Sequence, residues 1–209
     1  MRYRCVIWDW NGTLADDVIA SLKATNDILA RHGKPPIDLA QYYAYMDTPI
    51  SRFYEHLFDL NEVPMTLIGR EFSEFYPRYF EGLHPGAVTL LRTLQSAGVR
   101  QVILSSSHRE NVERDTAAQG IRPYFDEILA ADDLLAESKE ERGRLWVQHQ
   151  NIPAEQMVVI GDTLHDLAAA RYIGADCILC AIGHQSEADL LTGGVPVIHA
   201  LRDLEPLLL

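Results

Sequence analysis

Six short, mostly apolar runs recur along the 209-residue chain, and they limit what it can fold into. They are Tyr3–Trp8, Arg100–Leu104, Glu127–Ala130, Met157–Ile160, Asp176–Ile182 and Pro196–Ile198. They are too short for helices and show little in–out alternation, as expected of strands covered on both faces. Between them lie segments with helical spacing: Ala87–Ala97, Arg109–Gln119, Lys139–Gln150 and His165–Ile173. Three of these stop at Gly98, Gly120 or Gly174, and glycine accepts the left-handed conformation that closes many helices. Ser138 and Glu141 have the spacing of a capping box at the start of the Lys139 helix. This alternation predicts an α/β fold with a parallel sheet between two layers of helices.

One stretch departs from the alternation. Between Ala15 and Gly82 no strand pattern occurs, and Asp17–Arg31, Leu39–Met46, Ile50–Leu57 and Met65–Phe80 have helical spacing. The stretch is too long for an ordinary crossover. It reads as a helical subdomain, residues 16–82, inserted into a core of residues 1–15 and 83–209. Its aromatic residues, among them Tyr42, Tyr43, Tyr45, Phe72, Phe75, Tyr76, Tyr79 and Phe80, recur at helical spacings and are expected to form its core.

Composition narrows the function. Thirty acidic against eighteen basic residues give a net charge of −12, which disfavours nucleic-acid binding. Three cysteines are too few for a disulfide framework. Cys177 and Cys180 sit three apart in an expected strand and so face opposite sides, a structural pair rather than a redox or metal motif. No signal peptide or membrane span is visible. The expectation is a cytoplasmic protein, monomer or homodimer, with no nucleic-acid or membrane partner.

In doubly wound sheets, ligands bind beyond the carboxyl ends of the strands. The first strand runs into Asp9-Trp10-Asn11-Gly12-Thr13, the second into Ser105-Ser106-Ser107, and the fourth into Gly161-Asp162-Thr163-Leu164-His165-Asp166. One edge therefore gathers Asp9, Asp162 and Asp166 with hydroxyls and backbone amides. Carboxylates crowded together repel one another unless neutralised, and a hard cation such as Mg²⁺ neutralises them. Lys139 opens the helix after the third strand and adds a positive charge. Gly12 permits close backbone approach to a ligand.

At these residues the sequence resembles the haloacid dehalogenase superfamily over nearly its whole length. Asp9-x-x-Gly12-Thr13-Leu14, Leu104-Ser105-Ser106, Lys139 and Gly161-Asp162-Thr163-x-x-Asp166 resemble its four motifs, in order. His84-Pro85-Gly86 resembles the segment that re-enters the core after a helical cap. The nearest subgroup is phosphoglycolate phosphatase-like. The resemblance implies a Rossmann-like three-layer α/β/α core, a helical cap and a Mg²⁺-dependent phosphatase of small phosphorylated metabolites. It implies that Asp9 attacks phosphorus. Asp9, Asp162, the Asn11 backbone carbonyl and Asp166 form or support the metal site. Gly12, Ser105, Ser106 and Lys139 hold the phosphoryl group, and cap closure excludes water.

One position departs from that pattern. Phosphatases of the family usually carry an acid–base Asp two residues after the nucleophile, where this chain has Asn11. An amide exchanges no proton near neutral pH, and losing such help typically costs about 10²–10⁴-fold. His108 and His165 are the candidate replacements. Two other readings stay open: a module that binds Mg²⁺ and a phosphorylated ligand with little turnover, and a carbon–halogen or carbon–phosphorus hydrolase. Specificity is expected in the cap, with Arg52 as a candidate for a second anionic group.

Overall fold

The computed structural model describes residues 2–131 and 138–209. Along the chain, strand β1 (Cys5–Trp8) is followed by helices α1 (Val18–Arg31), α2 (Leu39–Tyr45), α3 (Ile50–Glu55) and α4 (Met65–Phe75). Next come α5 (Ala87–Ser96), β2 (Arg100–His108), α6 (Arg109–Ala118), β3 (Glu127–Ala131) and α7 (Lys139–Gln148). The chain finishes with β4 (Met157–Gly161), α8 (Leu164–Ile173), β5 (Asp176–Cys180), α9 (Glu187–Leu191), β6 (Val197–Ile198) and α10 (Glu205–Leu208). The strands form one sheet in the order β3-β2-β1-β4-β5-β6, and every pairing is parallel. The expected Rossmann-like α/β fold is the one observed.

Alternation along the central strands divides the apolar residues between two faces. Cys5, Ile7, Val102, Leu104, Met157, Val159, Cys177 and Leu179 pack with Trp146 of α7, Leu167, Ala170 and Ile173 of α8, and Leu190 of α9. The intervening residues Val6, Trp8 and Ile103 are also fully buried. Gln101 marks their side: it accepts from Trp8 Nε1 at 3.2 Å and donates to the Leu91 carbonyl of α5 at 2.9 Å. Both faces being covered explains why the central strands read as continuous apolar runs.

The chain divides into two compact units, residues 1–15 with 83–209, and residues 16–82. In the second unit, α1–α4 enclose a cluster that includes Ile28, Leu29, Tyr42, Phe53, Tyr54, Phe58, Ile68, Phe75 and Tyr76. Tyr43, Tyr45, Phe72, Tyr79 and Phe80 pack against it. All the aromatic residues singled out in the sequence therefore belong to, or border, this core.

Element ends differ from the sequence reading in places. Helix α4 stops at Phe75, not Phe80, and a 3₁₀ turn follows over Tyr76–Arg78. Pro77 has no N–H to continue the α-helical ladder. Strand β2 runs past Leu104 to His108 through an irregularity: Leu104 pairs with Leu129, and the next pair is His108 with Ala131. Helix α9 was not expected, although Ser186 caps it by accepting from Asp189 N. Both Cys177 and Cys180 are buried free thiols, and burial pushes Cys177 up to about 12 and Cys180 well above its ordinary range.

Helix α7 lies close to its neighbours because residue 143 is glycine. A Cβ there would sit 2.6 Å from Ile173 Cδ1 and 3.0 Å from Leu104 Cδ2. Gly143→Val should therefore lower stability by about 1–3 kcal/mol. By contrast, a Cβ at Gly69 in α4 meets nothing within 4 Å. Gly69→Ala should be neutral or stabilise by about 0.5–1 kcal/mol. Urea midpoints of the two variants check both expectations.

Candidate active site

The strand order reverses direction between β1 and β4, which makes their carboxyl ends the switch point of the sheet. Asp9 follows β1 directly, and its N–H donates to the Ile160 carbonyl of β4 at 2.8 Å. Asp162 follows β4 by one residue, and Asp166 lies in the first turn of α8. The three side chains are buried, and one carboxylate oxygen from each lies within 4.8 Å of the others. No sequence-local interaction brings Asp9 to Asp162; the β1–β4 pairing does.

Lys139, at the start of α7, is buried among these acids. Its ammonium donates to Asp9 Oδ1 in a short contact and to Asp166 Oδ1 at 2.6 Å. The other Asp166 oxygen accepts from Thr163 N at 3.0 Å and Thr163 Oγ1 at 2.7 Å, closing a capping box on α8. Asp162 Oδ1 accepts from Thr13 Oγ1 at 3.1 Å, and its Oδ2 accepts from His184 N at 2.6 Å. Burial pushes Asp9 up to about 8, with Lys139 opposing and Asp166 and Asp162 reinforcing the rise. For Asp166, burial also pushes upward, but Lys139 and Thr163 outweigh it and hold the carboxyl below its ordinary value. Burial works against the Lys139 ammonium, yet Asp166 and Asp9 hold it above the ordinary lysine range.

Glycine makes the cluster possible. Gly12 has φ +72°, and a Cβ on it would lie 2.2 Å from Asp162 Oδ2 and 2.6 Å from the His184 ring. A Cβ on Gly183 would lie 2.2 Å from the same carboxylate oxygen. Both loops therefore approach Asp162 more closely than any larger residue allows.

The other residues singled out in the sequence each have their own contacts. Asn11 Oδ1 accepts from Ser107 Oγ at 2.6 Å. Ser105 is buried, and its hydroxyl oxygen accepts from Ser107 N at 3.1 Å. Ser106 is exposed. The Ser105 carbonyl accepts from Arg142 Nη1 at 2.9 Å. The two candidate replacement bases are placed differently. His165 Nε2 pairs with Glu140 Oε1 at 2.8 Å. His108 is exposed at the end of β2 and makes no hydrogen bond to Asp9, Asn11 or Asp162 among the described residues. Arg52, in the other unit, forms an exposed pair with Asp47 at 3.5 Å.

Sequence reasoning gave no role to Thr13, Ser107, Arg142 or His184. Thr13 and Ser107 lay inside the quoted segments. Arg142 is three residues after Lys139, on the same helical face. His184 follows β5, so the strand-end rule that selected Asp9 and Asp162 also reaches it.

The sheet order and the acidic centre at its switch point define a doubly wound α/β protein. A family model described as haloacid dehalogenase-like hydrolase matches residues 6–180, and the chain belongs to that family. It is 30% identical over 190 residues to protein CbbY of Cereibacter sphaeroides, covering 83% of this chain and 82% of that protein. It is 25% identical over 210 residues to phosphoglycolate phosphatase of Caulobacter vibrioides, covering 95% and 88%. Among solved structures, a haloacid dehalogenase-like family hydrolase from Streptococcus pneumoniae has a TM-score of 0.83 at 23% identity, covering 99% of this chain and 97% of that one. CbbY from Rhodobacter sphaeroides in complex with phosphate has a TM-score of 0.76 at 23% identity, covering 97% and 96%. The resemblance read from the four motifs is thus borne out. No helix among the described residues is long and apolar enough to cross a membrane.

The acidic centre links stability to pH. The raised Asp9 retains a proton in the folded protein that the unfolded chain releases, from the ordinary 3.8 up to about 8. Through this group, the cation-free protein loses stability as pH rises across that window. A divalent cation must displace the proton at lower pH, so its stabilising effect grows towards pH 8. Melting temperatures with and without divalent cation should therefore differ more at pH 8 than at pH 6. Equal differences at both values would contradict the Asp9 assignment.

Proposed function

We propose that the protein is a Mg²⁺-dependent phosphatase of small phosphate monoesters, acting through an aspartyl-phosphate on Asp9. The observation that carries this reading is the convergence of Asp9, Lys139, Asp162 and Asp166 at the switch point of the sheet. The names of the relatives support the phosphatase class, and several are phosphoglycolate phosphatases.

The donor set fits the metal. Once Asp9 gives up its proton, the three carboxylates carry three negative charges and Lys139 cancels one, which leaves the charge of one divalent cation to be balanced. Asp9 and Asp162 would hold the ion, together with the Asn11 backbone carbonyl. Asp166 serves both Lys139 and Thr163 with its two oxygens, so it acts chiefly as the organiser of the cluster. When bound, Mg²⁺ offsets charge on the phosphoryl oxygens.

The chain's own residues supply the remaining steps. Lys139 fixes Asp9 through Oδ1, and the Asp9 carboxylate forms a bond to phosphorus while the P–O ester bond breaks and the leaving oxygen takes a proton from solvent. Ser105, Ser106, Lys139 and the Gly12 loop bind the phosphoryl oxygens as charge redistributes. Water then cleaves the acyl-phosphate and regenerates the Asp9 carboxylate. Asn11 cannot carry a proton in either step, and Ser107 holds its amide oxygen. Hydrolysis of the aspartyl-phosphate, in which the attacking water must give up a proton, is therefore a slow step. That same observation favours the second reading, a ligand-binding module of low turnover, if the slow step is slow enough.

Phosphate release from a panel of esters tests the proposal. Phosphoglycolate and xylulose-1,5-bisphosphate head the panel, since relatives are named for the first and one is solved in complex with the second. Wild type should release phosphate only with Mg²⁺, Asp9→Asn should release none, and Asn11→Asp should gain up to about 10²-fold in kcat. Silence from both wild type and Asn11→Asp across the panel would sink the phosphatase reading. Tight binding of an ester by a silent wild type that Asn11→Asp awakens would favour the binding module.

A further inference from the structure

The backbone after Leu104 leaves the regular ladder of the sheet. Pairing of β2 with β1 ends at Ile103, and β2 takes four residues from Leu104 to His108 where β3 takes two, from Leu129 to Ala131. Ser105–Ser107 form this bulge. Bulges re-aim side chains and backbone groups next to sites, but they cost ladder hydrogen bonds that other partners must replace. Here arginines supply donors. Arg109 reaches the Ile128 carbonyl, and Arg142 Nη1 reaches the Ser105 carbonyl at 2.9 Å.

The second contact has a consequence for the neighbouring amide. The Ser105 carbonyl and the Ser106 N–H belong to one planar trans peptide and point in opposite directions. A guanidinium that fixes the carbonyl therefore also fixes the direction of the Ser106 N–H. It polarises the peptide as well, which strengthens that N–H as a donor. Ser107 N is already given to Ser105 Oγ, so the Ser106 amide is the one whose direction remains to be set. Arg142 stands three residues from Lys139, so both side chains leave the same face of α7. Gly143, the next residue, lets that helix close onto Leu104. One helix thus sets two groups in register: the Lys139 ammonium on Asp9, and the peptide between Ser105 and Ser106.

We infer that Arg142 is a positioning residue for phosphate, holding the Ser105–Ser106 peptide so that the Ser106 N–H receives an oxygen of a tetrahedral phosphate dianion. The assignment rests on the phosphatase reading and adds to it a residue outside the four motifs.

Calorimetric binding of inorganic phosphate in the presence of Mg²⁺ tests it, with kcat and KM measured alongside on the best ester. Arg142→Ala should bind phosphate about ten- to hundredfold more weakly, the usual range for losing one charge-assisted hydrogen bond, and kcat should fall with it. Added guanidinium chloride should restore part of both in Arg142→Ala, while sodium chloride at equal ionic strength should not. Arg144→Ala breaks a partly exposed set with Glu141 and Tyr172 and should leave both values unchanged. Arg142→Ala with lowered melting temperature but wild-type phosphate affinity would overturn the inference, leaving Arg142 a purely structural clamp. If Arg142→Ala does not fold, Arg142→Lys decides: wild-type affinity and kcat would overturn the assignment, because an ammonium lacks the planar fork that fixes a peptide. Wild type that neither binds phosphate nor hydrolyses any ester would instead defeat the phosphatase reading itself.

Discussion

The ammonium of Lys139, buried between Asp9 and Asp166, is the interaction on which the rest of the site depends. Three carboxylates cannot share a dry corner of a protein while all are charged. Lys139 lowers the cost for two of them and fixes the direction in which Asp9 presents its oxygens. Breaking a buried ionic set by removing one member typically costs about 3–5 kcal/mol, because the remaining charges are left uncompensated. The arrangement is therefore both a structural link between α7, β1 and α8 and a reservoir of negative charge that one divalent cation can complete.

Close packing around the cluster follows from the same constraint. Buried charges need short, well-aimed contacts, and those contacts need backbone to come near. Gly12 and Gly183 let two loops approach Asp162 to distances that a Cβ would forbid. Gly143 does the same for α7 against Leu104 and Ile173, bringing Lys139 and Arg142 to the carboxyl edge of the sheet. Thr13 and the backbone of His184 then occupy both Asp162 oxygens, and Thr163 occupies the Asp166 oxygen that Lys139 does not reach. In this way backbone approach and hydroxyl contacts complete the site around Lys139.

Much of the fold was legible because burial on both faces leaves a plain mark, an apolar run without alternation, as in Cys5–Trp8 and Met157–Gly161. Helix ends were legible where glycine closes them, as at Gly174 with φ +85°. The bulge in β2 was not legible, since Ser105–Ser107 carry neither glycine nor proline and simply follow an apolar strand. Helix α9 is only five residues long, too short for periodicity to show. Asp9, Lys139, Asp162 and Asp166 were legible as candidates from their places at element ends. Arg142 and His184 escaped notice because their contacts are backbone contacts to residues far away in sequence, Ser105 and Asp162.

The sequence by itself determined the layering, the parallel sheet, the helical stretch of residues 16–82 and which acids stand at strand ends, because periodicity and chain punctuation are local properties. Only the tertiary structure decided that Asp9 and Asp162 meet, that Lys139 lies between Asp9 and Asp166, and that Ser107 holds Asn11. Those partners are separated by 27 to 153 positions along the chain, where D9–D162 is the widest gap and K139–D166 the narrowest. Pairing of β1 with β4 and closure of α7 onto the sheet bring them together, and neither is encoded in any single segment.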